Sequence, residues 1–435
     1  MKSNQLELPR FEPTVTAALA RLAAIKPGDY ARTRNHLGGA VSKISPYLTH
    51  GFISMPEAAR FLDSRHQLDL QNKFAYELGW REFFQHVWRH EGDGILNSLH
   101  EGPLPEAAYA AELPADIREA RTGVPTIDAA VRMLYACGYL HNHARMWLAS
   151  YIVHLRKVHW RAGADWMLGH LLDGDLASNH LSWQWVAGTG SHKPYLFNAE
   201  NVTRFTPKGM AEWSAKGTVL DASYEALEQI ARSPEAVFTQ PLAKGVAEPK
   251  LHAAPPEALV AQLGKAVEPP KAKAAAGREV WLVQPWGLRD LPDRVPPSTL
   301  KVGLLLSNFH DAFPWSEARW RFVLTRMARL CDEIWLCDAA ALKTALAKAK
   351  SVRGQISPHI AGYLQGQMDG WETEFAPTLL GEPGERCASF SQFWARTTTG
   401  LRRLTELPGL GGLGLAEPEP EPEPEPEETY DEDDE

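Results

Sequence analysis

The chain has little cysteine: four residues, Cys137, Cys331, Cys337 and Cys387, in 435. None forms a CxxC pair, which excludes the paired-cysteine zinc and iron–sulfur frameworks, and no metal is expected. Few, scattered thiols fit a reducing compartment, so a cytoplasmic protein is expected. Long apolar runs are also missing. No stretch is long enough to span a membrane, and the opening MKSNQLELPRFEP lacks the apolar centre of a secretory leader. A glycine-rich phosphate loop is lacking too. The glycine run near Gly409–Pro418 follows a helical pattern and leads into acid, so it reads as a hinge. Basic residues are absent from Glu417–Glu435, a Glu-Pro run expected to be extended and disordered. That tail accounts for the formal charge of -9. The body without it is near neutral and slightly basic, which does not exclude nucleic-acid binding, since that needs a local patch rather than a basic total.

What is present divides along the chain. Hydrophobic content of 44% and charged content of 23% are those of an ordinary globular protein. Residues 1–240 read as one all-helical domain. ISMPEAARFLDS is a capped helix with Pro56 near its start, and LDLQNKFAYELGWREFFQHVWRH carries apolar residues at helical spacing. Residues 241–277 are rich in Pro, Ala and Lys and read as a linker with one short helix. Residues 278–408 read as a small α/β domain. REVWLVQPW, LKVGLLLSNF and DEIWLCD are strand-like, and EARWRFVLTRMARLC is an amphipathic helix between the last two. Residues 409–435 complete the chain as hinge and acidic tail.

The densest polar and aromatic cluster is Leu171–Gly190, LLDGDLASNHLSWQWVAGTG. Asp173, Asp175 and Asn179 sit among leucines, with Trp183 and Trp185 a turn further on. Aspartate is almost never fully buried unless paired. Two readings stand on these residues alone: a helix N-cap before core tryptophans, or a site for a ligand rich in hydrogen-bond donors.

Four blocks resemble, in order and spacing, the flavin-binding domain of the photolyase/cryptochrome family. They are YARTRNHLGGAVSKISPYLTHGFIS (Tyr30–Ser54), ELGWREFFQHV (Glu77–Val87), TGVPTIDAAVRMLYACGYLHNHARMWLASYIV (Thr122–Val153) and VHWRAGADWMLGHLLDGDLASNHLSWQWVAGTG (Val158–Gly190). The resemblance implies a helical domain of photolyase type holding a folded FAD. On its terms Tyr30, Arg34, Ser42, Ile44 and Ser45 lie around the phosphates. Asp173 and Asp175 lie beside the flavin ring and ribose, Arg145 pairs with the ring-side aspartate, and Asn179 faces the flavin N5. Glu77, Trp80, Arg81, Asn142, Met146 and Trp185 form the mouth that receives a flipped, damaged dinucleotide. Branches that repair (6-4) photoproducts place histidines where this chain has Asn142 and Met146, so the cyclobutane-dimer branch is the nearer one. His141 and His143 are expected to be structural.

The chain departs from that pattern in three ways. The family's α/β antenna domain precedes the flavin domain, whereas here an α/β segment follows it; an antenna-like role is expected for it, with the second chromophore unknown. Trp183 and Trp160 match the inner and middle tryptophans of an electron relay, but Ile117 stands at the outer position, so the exit would pass through Trp147, Tyr151 or Trp166. Val41 replaces a phosphate-holding threonine, and the equivalence of Asn198 or Asn201 near the adenine is open. The function implied is light-driven electron transfer from reduced FAD to a cyclobutane pyrimidine dimer, by a monomer acting on UV-damaged DNA. Alternatives are a cryptochrome-like blue-light receptor and a flavoprotein that keeps the fold without repair.

Overall fold

A computed structural model describes residues 6–411. The Glu-Pro tail, and all of 412–435, lie outside the described residues. From Val15 to Arg232 the regular elements are helical, and the first strand is Leu251–His252. Local sequence sets the helix ends. Ser54 and Glu57 form a reciprocal capping box before Met55–His66. Asn72 accepts the Phe74 N–H and opens Lys73–Glu91, the longest helix, which stops at Gly92 with φ 55. Among the described residues, no helix is long and apolar enough to cross a membrane.

The segment after residue 250 forms a six-stranded parallel sheet. Across it the strands run Val267–Glu268, Glu333–Cys337, Leu300–Leu306, Glu279–Val283, Ser351–Gln355 and Glu372–Glu374. The chain winds outward from the central strand Glu279–Val283 to one side, then returns to fill the other. This is doubly wound order, with its switch between Glu279–Val283 and Ser351–Gln355. Residues 241–277 differ from the expected linker. Leu251–His252 pairs antiparallel with Trp315–Ser316, and Val267–Glu268 adds an edge strand beside Ile334 and Trp335. Two helices, Glu257–Leu263 and Ala272–Ala275, lie between and after them. The Pro and Ala content that suggested an extended linker does not oppose an edge position, where few ladder bonds are needed.

The hydrophobic cores cut across the chain's order. One core joins the helices of residues 18–95 to the sheet and its helices, including Phe52, Phe322, Trp315 and Phe390. The other is built from residues 113–220, around Trp147, Trp160 and Trp183, with Leu37 added. The Leu171–Asp175 turn lies between them: Leu171 belongs to the second core and Leu172 to the first.

Candidate functional site

The helix Trp160–His170 ends at Leu171, and Leu176–Ala187 starts four residues after Leu172. Asp175 caps the second helix, its Oδ1 accepting the Ser178 N–H at 2.8 Å. The capping reading and the ligand reading therefore meet in one residue, because its other oxygen contacts face a cavity. Gln85 Nε2 donates to both Asp175 oxygens at 3.1 Å, and His359 Nε2 stands 3.5 Å from Oδ2. Burial pushes the Asp175 carboxyl up, yet the Arg81 charge and the Ser178 N–H hold it below its ordinary value.

Asp173 is buried and paired. Arg145 Nη2 donates to its oxygens at 2.8 and 3.0 Å, and Ser45 Oγ donates to Oδ2 at 2.6 Å. Arg145 is held in turn by the Leu140 carbonyl, 2.9 Å from Nε, and lies over the Tyr139 ring. Burial opposes the Arg145 charge, and Asp173 more than restores it. Asn179 donates from Nδ2 to the Ala164 carbonyl at 2.9 Å. This fixes the orientation of the amide.

The remaining residues fall into groups. Ser42 is half-buried, and Ser45 starts the short helix Ser45–Thr49. Ile44 is part of the core, so it offers a ligand only its main chain. Arg34 Nε lies 3.6 Å from Glu77 Oε1, which couples a residue expected at the phosphates to one expected at the mouth. Tyr30 packs edge-on to Phe74; burial, then the nearby Glu77 charge, raises its hydroxyl pKa well above the ordinary value. Arg81 donates to Thr49 Oγ1 at 3.0 Å. Asn142 and Met146 touch, Nδ2 to Sδ 3.4 Å, one helical turn apart on an exposed face. Trp80 is stacked on Phe390 at 4.2 Å and 12°. Trp185 is 39% exposed and leans on Tyr195 instead, 5.6 Å away.

Trp183 and Trp160 are both buried. Trp183 lies against Gly163, where a Cβ would come within 2.4 Å of its ring. Trp160 donates to Ser98 Oγ at 2.9 Å and packs beside His159 and His180. Ile117 is fully buried in the 113–220 core, as are Trp147 and Tyr151. Trp147 is tied to Asn201 Oδ1 at 3.0 Å, and Trp166 contacts Glu248 Oε1 at 3.1 Å. Asn198 caps the helix Ala199–Phe205. His141 caps the Asn142 helix, and burial lowers His141 to about 4 and His143 to about 3, so both are neutral at pH 7.

One further cluster, His86, His90 and Glu382, has metal-like spacing. His86 Nε2 accepts the Cys387 N–H at 2.9 Å, so its proton sits on Nδ1, which donates to Glu382. That is a hydrogen-bonded pair rather than a ligand set.

A cavity of about 1010 Å³ opens within the first core, between its helices and the α/β segment. It lies at the carboxyl ends of the strands flanking the switch point, lined there by Gln284, Trp286, Gln355 and His359, and closed from the helices by Thr49, Arg81, Gln85 and Asp175. Of the expected residues only Arg81 and Asp175 line it; Ser42, Ser45, Asn142, Arg145 and Asn179 lie outside it. Gln85, His359, Arg319 and Phe390 were not anticipated. Gln85 had a signal, since 77, 81 and 85 follow one helix face. The other three come from distant segments and had none.

Residues 74–212 match the FAD-binding domain of DNA photolyase. The chain is 35% identical over 198 residues to a deoxyribodipyrimidine photo-lyase of Synechococcus sp., covering 41% of this chain and 40% of the relative. It is 32% identical over 226 residues to a cryptochrome DASH of Synechocystis sp., covering 48% and 44%. The crystal structure of a Synechocystis cryptochrome aligns with a TM-score of 0.41 at 28% identity, covering 46% of this chain and 44% of that one. The chain thus spans less than half the length of these relatives. Residues 74–212 are thus similar to the FAD-binding domain of DNA photolyase, and the chain is similar over part of its length to photolyases and to a DASH cryptochrome.

Proposed function

We propose that the chain repairs cyclobutane pyrimidine dimers in UV-damaged DNA, driven by light. The observation that carries the reading is the ion pair of buried Asp173 with Arg145, on a turn beside the touching pair Asn142 and Met146. The polar groups fit FAD: a hydroxyl at Ser42, a guanidinium at Arg34, carboxylates at Asp173 and Asp175, and an oriented amide oxygen at Asn179. When bound, FAD supplies the photoexcited electron that opens the cyclobutane ring and takes it back. The protein's part is placement and charge. Arg145 and Ser45 would hold Asp173 against the flavin, and Glu77 and Asn142 would read base edges. Trp80, backed by Phe390, would wall the pocket. The cavity at the switch point supports the antenna-like reading of residues 278–408.

The test is to illuminate the purified chain with FAD, a reductant and a dimer-containing oligonucleotide. Loss of dimer in light and not in darkness supports repair. Bound flavin with no dimer loss favours a cryptochrome-like receptor or a flavoprotein without repair. Replacing Trp183 with Phe should abolish light-driven flavin reduction; unchanged photoreduction would remove Trp183 from the relay.

A further inference from the structure

We propose that Arg319 is a positioning residue for the Leu171–Asp175 turn, holding its backbone in place and supplying a buried positive charge behind its two aspartates. The proposal rests on the reading of that turn as part of the flavin site. Arg319 comes from the helix Glu317–Leu330 of the α/β segment and is 1% exposed. A guanidinium is almost never that buried without a carboxylate bonded to it. Here its hydrogen bonds go to backbone. Nη1 donates to the Leu168 carbonyl at 2.9 Å, and Nη2 donates to the Gly174 carbonyl. Leu168 lies in the last turn of one helix and Gly174 just before the next, so the guanidinium closes the bend between them. Its plane lies over Trp315, 4.0 Å from the ring centroid. Its Nε is buried with no hydrogen-bond partner.

The turn is shaped for this contact. A Cβ at residue 174 would sit 2.6 Å from Arg319 Nη1 and 2.6 Å from the Leu168 carbonyl, so only glycine fits. Burial lowers the Arg319 pKa to about 9, with Asp173 and Asp175 pulling it back up, and it stays a cation at neutral pH. The histidines packed around it are neutral. Burial, then the Arg319 charge, brings His50 and His310 to about 3. His359 is also brought to about 3 by burial and Arg319, against the pull of Asp175. The cation behind the aspartates from this side is therefore Arg319, not a histidine. With Arg81 and Arg145 it makes three guanidinium groups around two carboxylates. Three cations around two carboxylates, the buried Arg319 screened least by solvent, favour the more negative state of whatever the turn holds.

The test uses the full chain loaded with FAD and two variants. Arg319→Gln keeps an amide donor for the carbonyls and removes the charge. Arg319→Lys keeps the charge and loses the planar fork. We expect Arg319→Gln to lower the midpoint potential of the bound flavin by about 30 mV for the two-electron couple, a tenfold change in its relative affinity for the two redox states. Arg319→Lys should keep most of the wild-type potential. Both should show faster hydrogen exchange at amides 171–176. A wild-type potential together with wild-type exchange in Arg319→Gln would overturn the proposal. If Arg319→Gln does not fold, Arg319→Lys decides: faster exchange at 171–176 supports the proposal and unchanged exchange overturns it. If the wild-type chain takes up no flavin, the flavin reading is what fails. Exchange at 171–176 then still tests the positioning role without a flavin.

Discussion

The Leu171–Asp175 turn is gripped from two directions, and the grips differ in kind. From the helical half, side chains reach mainly side chains: Arg145 and Ser45 hold the Asp173 carboxylate and Gln85 that of Asp175, with Thr49 Oγ1 donating to the Asp173 carbonyl at 3.2 Å. From the α/β segment the hydrogen bonds go to backbone, although His359 Nε2 also stands 3.5 Å from the Asp175 carboxylate. Arg319 takes the Leu168 and Gly174 carbonyls, and His359 takes the Leu176 N–H at 3.2 Å. His50 belongs to the helical half but spans both, between the Leu172 carbonyl at 2.8 Å and the Pro285 carbonyl at 2.7 Å. Carboxylate contacts set which charges a ligand meets. Backbone contacts set where the turn sits, whatever residues it carries. The α/β segment is thus packed into the frame of the candidate site, which its shared core with the first helices also requires.

The largest expected effect comes from breaking the side-chain grip. Asp173→Ala leaves the half-buried Arg145 without its carboxylate partner, and should cost about 3 kcal/mol of folding stability. Urea unfolding measures this; a loss below about 1 kcal/mol would mean the pair is solvated.

The next test inverts the comparison, because Glu82 is a helical-half side chain that grips α/β backbone. Its carboxylate accepts the Leu379 and Leu380 N–H groups at 2.5 and 2.7 Å. Burial raises its pKa from 4.5 to about 7, against the pull of those two N–H groups. The folded state then binds the proton more tightly than the unfolded one. Stability should therefore fall as pH rises from about 4.5 to about 7 and level off above, by up to about 3 kcal/mol. Thermal unfolding between pH 5 and 8 should show this slope in the wild type and not in Glu82→Gln; equal slopes would remove Glu82 as its source.

Two smaller changes separate the grips at the turn itself. Gly174→Ala forces a Cβ onto Arg319 and the Leu168 carbonyl, and should cost about 2 kcal/mol by calorimetry. Ser45→Ala removes one hydrogen bond to the Asp173 carboxylate from a partly exposed position, and should cost about 1 kcal/mol. If Ser45→Ala proves the costlier, the backbone grip is the weaker of the two.

The two grips also differ in how far they were legible in the sequence. Asp175 was readable as a cap, and Asp173, Arg145 and Ser45 through short blocks whose order and spacing carry the resemblance. Those contacts join helices of one local pattern. Arg319 and His359 were not readable. Their contacts span 145 and 183 residues, and helical periodicity marks them only as core-facing positions on their own elements. The strand-like runs after residue 278 were visible, but strand order depends on crossovers that periodicity does not encode. Residues 251–276 were misleading for a related reason: an edge strand of two residues leaves almost no pattern. Trp80 was seen as a wall of the mouth, while Phe390 behind it came from a helix about 310 residues away whose docking is purely tertiary.

The most direct test of the account is the absorption spectrum of the purified chain after incubation with FAD and removal of the excess. The account predicts bound-flavin bands, with one flavin released per chain on denaturation and strongly reduced retention in Asp173→Ala. A colourless wild-type chain, or equal retention in the variant, would contradict it.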